Sequence, residues 1–174
     1  MSGNTDDFDA FYAGSVRRVT GYLYAVTGSR AEAEDAAQEA FARAWQHWPK
    51  VSGYTDPEGW VRIVGFRIAV SAWHKMVSRT AAHRRHGVPD AEADLSPDYV
   101  ALVAALRQIP AGQRQAIVLH HLYGLSVGEI SHEAGVPSGT VKARLSRGRR
   151  ALAAQLGENG PQTGFNGMEV PNHA

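Results

Sequence analysis

The chain reads as all-α: two small helical domains joined by a flexible linker, the second containing a helix-turn-helix. Three observations predict this. Apolar residues recur at three- and four-residue spacing almost throughout, and no strand-length segment alternates convincingly with period two. Capping signals and Gly or Pro breaks fall where those periodic runs begin and end. Finally, segment 125–150 reads as a short helix, a tight Gly135-Val136-Pro137 turn, and a second helix loaded with Arg and Lys.

The elements follow in order. Phe8, Phe11, Tyr12, Ser15, Val19, Tyr22 and Val26 mark a first helix that Gly28 ends. Ser29 with Glu32 predicts a capping box, opening a helix that reaches about Trp48 and is stopped by Pro49. Its apolar face is Ala33, Ala37, Ala40, Phe41, Ala44 and Trp48, with Asp35, Gln38, Glu39 and Gln46 opposite. After a Gly- and Pro-containing loop, Asp56 is a predicted N-cap with Pro57 at the first helical position. That helix runs to about Val77 on a core stripe of Ile63, Phe66, Val70, Trp73 and Val77. Arg67, Ser71, His74 and Lys75 fall on its far side, with Trp60 at the same angle.

Residues 79–97 lose periodicity and read as a linker, basic at first and then acidic through Asp90, Glu92 and Asp94. They separate a first domain, 1–78, from a second, 98–156. In the second, helices of about 98–108, 112–123, 126–134 and 138–156 are joined by turns at Ile109-Pro110 and Tyr123-Gly124. The Gly- and Pro-containing stretch 157–174 reads as a disordered tail.

Segment 125–150 carries the sharpest local signals. Ser126 and Glu129 have capping-box spacing, Gly135 can take the left-handed conformation that ends a helix, and Pro137 prevents its resumption. Ser138 is a candidate N-cap for the last helix. There Val141, Leu145, Leu152 and Leu156 form one apolar stripe, while Thr140, Lys142, Arg144, Ser146, Arg147, Arg149 and Arg150 lie off it. No acidic residue occurs between Glu133 and Glu158, so this face carries an undiluted positive field. The plain alternative is a solvated basic helix that binds nothing.

Composition narrows the classes. With 44% apolar and 20% charged residues the chain is ordinary for a soluble globular protein. Its net charge is only +1, yet unevenly distributed. No Asp or Glu occurs from Gly59 to Pro89, where Arg62, Arg67, Lys75, Arg79, Arg84 and Arg85 stand. The region before it is acid-rich, with Asp6, Asp7, Asp9, Glu32, Glu34, Asp35 and Glu39. Two basic zones behind an acidic front suggest a molecule that meets DNA twice and a protein once. Without cysteine, disulfide and thiol chemistry are excluded. No apolar run approaches the roughly 18 residues that span a bilayer, and the N-terminus lacks a signal pattern, so no membrane insertion and a cytoplasmic location are expected.

His120 and His121 are adjacent and point about 100° apart on a helix, so they cannot easily share an ion. His83 and His86 are neighbours in the linker, without Cys, HExxH or a carboxylate cluster. No metal, cofactor, small-molecule substrate or catalytic residue is expected, and no enzymatic activity.

Four segments together resemble the extracytoplasmic-function (group IV) sigma factors, the minimal promoter-recognition subunits of bacterial RNA polymerase. They are the segments 33–45 (AEDAAQEAFARAW), 60–70 (WVRIVGFRIAV), 109–119 (IPAGQRQAIVL) and 135–147 (GVPSGTVKARLSR). The resemblance covers roughly residues 8–156 and implies specific roles. Residues 1–78 would be sigma region 2, which binds core polymerase and melts and reads the −10 element; residues 98–156 would be region 4, which reads the −35 element.

Asp35, Gln38, Glu39 and Arg43 stand where such factors dock on the polymerase; a solvated face is the alternative for them. Trp60, Arg67, Ser71, His74 and Lys75 are the implied −10 contacts, in a setting where aromatics stack on opened bases and cations hold phosphates. The loop 51–56 is the implied source of a base pocket, and Phe66 and Trp73 are expected in the core. Arg67 and Ser71 depart from the Asn and Asp of many members. Ser138, Thr140, Lys142, Arg144, Ser146, Arg147 and Arg149 are the implied −35 contacts, to guanine edges or to phosphates. Core RNA polymerase and promoter DNA are the implied partners, with an anti-sigma factor as regulator. The rival reading is a stand-alone helix-turn-helix transcriptional regulator with an N-terminal sensing or dimerisation block.

Overall fold

A computed structural model of the chain describes residues 2–79 and 96–159. The elements are α1 (Ser2–Thr27), α2 (Arg30–Gln46), α3 (Trp48–Val51), α4 (Pro57–Arg79), α5 (Pro97–Arg107), α6 (Ala111–Ile117), α7 (Val127–Ala134) and α8 (Ser138–Asn159). No strand occurs among the described residues. Helices α1 to α4 pack as one block and α5 to α8 as another.

The first block is built on small residues. Ala33, Ala36, Ala37, Ala40 and Ala44 of α2 are all buried, which lets α2 approach α1 and α4 closely. At one end an aromatic cluster fills the space that alanines leave. Phe8 lies 5.0 Å from Trp45 and 5.2 Å from Trp48, and Phe11 is 4.9 Å from Trp48. Tyr12 meets Phe41 edge-on at 4.9 Å, a favoured aromatic geometry. Gly65 of α4 makes room for Leu23 of α1, whose Cδ1 lies 2.9 Å from where a Cβ would be.

Several expectations need correction. The helix through α2 does not reach Trp48: it ends at Gln46, and Pro49 helps to start α3. Proline lacks only an amide that the first turn leaves unpaired in any case, so it opens a helix as readily as it blocks one. Only half of the Ser29 capping box forms. Ser29 Oγ accepts from the Glu32 amide at 3.3 Å, while the Ser29 amide donates to Thr27 Oγ1. Trp73, expected in the core, is 47% exposed. Burial on α4 falls off along the helix, from Val61, Arg62 and Gly65 to the exposed segment 71–75. Tyr12 and Leu156, placed on apolar stripes, are 41% exposed, each near an end of its stripe.

In the second block, α6 runs into a wide turn, Val118–Leu122, in which the Tyr123 amide donates to Val118 O at 3.2 Å. Gly124, at φ +70°, reverses the chain. Helix α8 begins at Ser138, which is therefore its first residue rather than its cap, with the Val141 amide donating to Pro137 O. It extends to Asn159, past the expected start of a tail; residues 160–174 lie outside the described residues, as does the linker segment 80–95 with His83 and His86.

The two blocks touch. Val19, Tyr22, Leu23 and Val26 belong to the same apolar cluster as Val103, Leu106, Ile117 and Leu119. Arg114 bridges them by donating to Val26 O at the end of α1 and to Arg107 O and Ile109 O at the end of α5. It thereby caps two helix C-termini at once, where orphan carbonyls and the helix dipole favour a cation. Burial, with a contribution from Arg107, lowers its pKa to about 10.

Candidate nucleic-acid interface

Helix α8 is positioned by its turn. Ser126 Oγ accepts from the Glu129 amide at 3.2 Å and Glu129 Oε2 accepts from the Ser126 amide at 2.7 Å, completing a capping box on α7. The backbone and side-chain hydrogen bonds of Ser126 pull the Glu129 carboxyl below its usual pKa. Gly135 takes φ +66°, a conformation that costs a Cβ-bearing residue about 1 kcal/mol or more. Ser131 Oγ donates to Val136 O at 2.6 Å and fixes the exit from the turn.

Val141 and Leu145 are then buried, and Gly148 lies so close to Ile117 that a Cβ would meet its Cγ1 at 3.0 Å. With that side turned inward, Ser138, Lys142, Ser146, Arg147 and Arg149 are exposed, whereas Thr140 and Arg144 are half-buried. The Arg144 guanidinium packs over Gly112 at the start of α6. Arg150, absent from the implied contact set, is exposed beside the others and donates to Ser146 Oγ at 3.4 Å. Its position in the Arg149-Arg150 pair was the available signal.

On α4, Arg67, Ser71, His74 and Lys75 share one exposed face at i, i+4, i+7 and i+8. Trp60 lies on the same line but at its other end, half-buried against the core of the first block. The exposed Trp73 meets His74 edge-on at 5.5 Å, so an aromatic surface does stand beside the cationic face, from a residue assigned to the core. In the preceding loop Val51 is buried and residues 52–56 are exposed.

On α2, Asp35, Gln38, Glu39 and Arg43 are exposed on one face. Glu39 accepts from Arg43 Nε at 2.8 Å, an exposed i,i+4 pair worth about 0.3–0.5 kcal/mol. Trp45, 43% exposed, adds a partly open indole near this face, which the helical pattern alone did not flag.

Arg62 requires a correction. Counted among the cations of the basic zone, it is only 6% exposed and adds nothing to the outward field. Its guanidinium donates to Glu133 Oε1 and Oε2 at 3.1 and 2.8 Å, to Glu58 Oε1 at 3.1 Å and to Asp56 Oδ2 at 3.2 Å. Burial works against its charge, but Glu133, Asp56 and Glu58 outweigh that and raise its pKa. Asp56 also accepts from the Gly59 amide at 2.8 Å, as an N-cap should.

The histidines have separate partners. His120 Nδ1 lies 2.8 Å from Leu125 O, and His121 receives a hydrogen bond from Arg149. Among the described residues no three His, Cys, Asp or Glu side chains gather as a metal site, and no helix is long and apolar enough to cross a membrane.

The sequence matches the family models described as Sigma-70 region 2, over residues 11–86, and Sigma-70, region 4, over residues 99–152. It is 32% identical over 148 residues to the ECF RNA polymerase sigma factor SigL of Mycobacterium tuberculosis, covering 80% of this chain and 82% of that one. It is also 32% identical over 161 residues to the ECF RNA polymerase sigma factor SigE of Mycolicibacterium smegmatis, covering 84% of this chain and 60% of that one. In fold it is similar to the sigma factor RpoE of Bartonella quintana, solved in complex with the anti-sigma factor NepR. That likeness has a TM-score of 0.75 at 22% identity, over 88% of this chain and 98% of that one. A second solved structure, CnrH in complex with the cytosolic domain of CnrY, gives a TM-score of 0.65 at 22% identity, over 91% and 93% of the two chains.

Proposed function

The chain belongs to the extracytoplasmic-function sigma factors of RNA polymerase, and from that premise we infer which of its surfaces meets the polymerase and which meets DNA. It is a promoter-recognition factor. A stand-alone regulator is not favoured, because the first block matches sigma region 2 rather than a sensing module.

We propose that residues 1–78 act as the polymerase-binding and −10 domain and residues 98–156 as the −35 domain. The exposed face of Asp35, Gln38, Glu39 and Arg43 docks on core polymerase. On α4, Arg67, Ser71, His74 and Lys75 engage the −10 strand as it opens, the cations on phosphates, with Trp60 on the same line. On α8, Ser138, Thr140, Lys142, Arg144, Ser146, Arg147 and Arg149 enter the major groove at −35, where Arg and Lys read guanine or grip phosphate. The observation that carries this reading is the pair of exposed cationic helix faces, one per block, with a separate polar-acidic face on α2.

In this mechanism the chain is not itself an enzyme. Binding energy separates the strands and the polymerase performs all bond-making. Its place of work is then the cytoplasm, with the polymerase and the template. An anti-sigma factor is the proposed regulator, supported by the RpoE and CnrH likenesses, the first solved with an anti-sigma factor and the second with the cytosolic domain of CnrY. The test is reconstitution: the purified chain should co-elute with core polymerase and start RNA from a defined site on duplex template. A chain that never joins the polymerase, or joins it and starts no RNA, refutes the reading.

A further inference from the structure

The exposed cations of α8 are ordered differently from those of α2. Helix α2 holds its surface arginines with acids one turn away, Arg43 on Glu39 at 2.8 Å and Arg30 on Glu34 at 2.7 Å. Such a pair fixes a long side chain but also offsets its charge. No acidic residue occurs between Glu133 and Glu158, so α8 offers its arginines no carboxylate one turn away. Around Arg149 the positions three and four residues away are Leu145, Ser146, Leu152 and Ala153, and the Ser146 hydroxyl already accepts from Arg150.

The anchor for Arg149 comes instead from another element. His121 Nε2 accepts from Arg149 Nε at 3.2 Å, across 28 residues. The turn that carries His121 is itself pinned, since the Tyr123 amide donates to Val118 O and the Leu125 amide to Leu119 O. His120 Nδ1 donates to Leu125 O at 2.8 Å, and its ring backs His121 edge-on at 4.8 Å. Gly148 lets α8 close on Ile117, where a Cβ would come within 3.0 Å, and this sets Arg149 beside the turn.

The choice of acceptor has an electrostatic consequence. An unprotonated imidazole carries no charge, so it orders the guanidinium without quenching it. Arginine has five N–H donors in a planar fork. With Nε–H engaged, the four on the two Nη atoms are left to face a phosphate or a guanine edge. We propose that His121 is a positioning residue for the −35 interface, one that pre-sets Arg149 for DNA. This rests on the reading of α8 as the −35 helix. A side chain ordered before DNA arrives escapes the entropy cost of immobilisation on binding, worth about three- to tenfold in affinity. Burial and the charges of Arg149 and His120 lower the His121 pKa and keep the ring unprotonated near neutral pH. Helices α1 and α7, which also pack on this turn, add no charge that shifts it.

The test is binding of the full-length chain, assembled with core polymerase, to the duplex from which it starts RNA, at about pH 8, where histidine is neutral. Arg149→Ala should weaken binding and reduce the salt slope by about one. His121→Leu, which keeps the bulk and removes the acceptor, should weaken binding by about three- to tenfold. His121→Gln, whose amide oxygen can stand in for Nε2, should restore it. In the Arg149→Ala background the change to Leu should cost nothing further, whereas a merely structural role would persist there. Lowering the pH through the His121 value should cost the wild type the same factor relative to His121→Gln, whose acceptor does not titrate.

A His121→Leu protein that binds like wild type, or that loses as much with Arg149 already removed, overturns the positioning role. So does wild-type binding that strengthens relative to His121→Gln as pH falls, since an imidazolium would then be gripping phosphate itself. If Arg149→Ala leaves binding unchanged, Arg149 touches no DNA and the role falls with it. The −35 reading of α8 is decided separately, by Arg147→Ala.

Discussion

His121 Nε2 accepts a hydrogen bond from Arg149 Nε at 3.2 Å, tying the wide turn after α6 to the outer face of α8. An imidazole can do this only while neutral. Burial, followed by the charges of Arg149 and His120, lowers the His121 pKa below its ordinary 6.5. Between the lowered value and 6.5 the unfolded chain binds more protons than the folded one, so stability rises with pH. The contribution is complete above about 6.5 and is lost as pH falls through the folded value. Urea denaturation of wild type and His121→Gln across this range should show the slope in the first and not in the second. Equal slopes would remove His121 from the account.

The α2 face makes a sharp separation of fold from binding. Asp35 and Glu39 are exposed, so reversing both to Arg should change stability by no more than about 0.5 kcal/mol each. Co-elution with core polymerase should nevertheless be lost. Retained co-elution would move the docking surface elsewhere, with exposed Trp45 as the next residue to test.

Arg147 separates base reading from phosphate grip. If it reads a base, Arg147→Ala should cost about 1–3 kcal/mol of promoter binding and relax preference at one −35 position. A uniform loss over all sequences, with a shallower salt dependence, would mean a phosphate contact. Binding measured against a panel of single-base variants tells the two apart.

Arg114 should be the costliest single truncation in the joint between blocks. Arg114→Ala leaves the carbonyls of Val26, Arg107 and Ile109 without their donor. At about 1–3 kcal/mol for an unsatisfied buried group, a loss of about 3 kcal/mol or more is expected in equilibrium denaturation. Arg114→Lys should recover only part of it, since an ammonium cannot reach three carbonyls on two helices with the same fork.

Much of the secondary structure could be read from local chemistry. Ser126 with Glu129, Gly135 and Asp56 each do what their spacing predicts, because a cap involves residues three or four apart. Pairings between distant residues left no such mark. Glu133 looked like an ordinary helix residue and Arg62 like one more cation, and only the packing of α4 on α7 turns them into partners 71 residues apart. The Asp56, Glu58 and Arg62 spacing could have hinted that this arginine was already engaged. Trp73 was misplaced for a related reason. A helical stripe identifies a face but not how tightly its neighbours close over it, and here Trp73 lines an open cleft rather than a sealed core. The DNA-facing assignments come from exposure, charge and resemblance together, and the binding measurements above put them to the test.

All four tryptophans, Trp45, Trp48, Trp60 and Trp73, occur in α2 to α4. The chain thus carries an intrinsic fluorescent reporter of one half only, the other being dark above tyrosine wavelengths. Trp73 lines the cleft shared with Arg107 and Arg114, so its indole sits at the seam. Already 47% exposed, that indole stands where any molecule entering the cleft would touch it, and its emission would report the event without an attached dye.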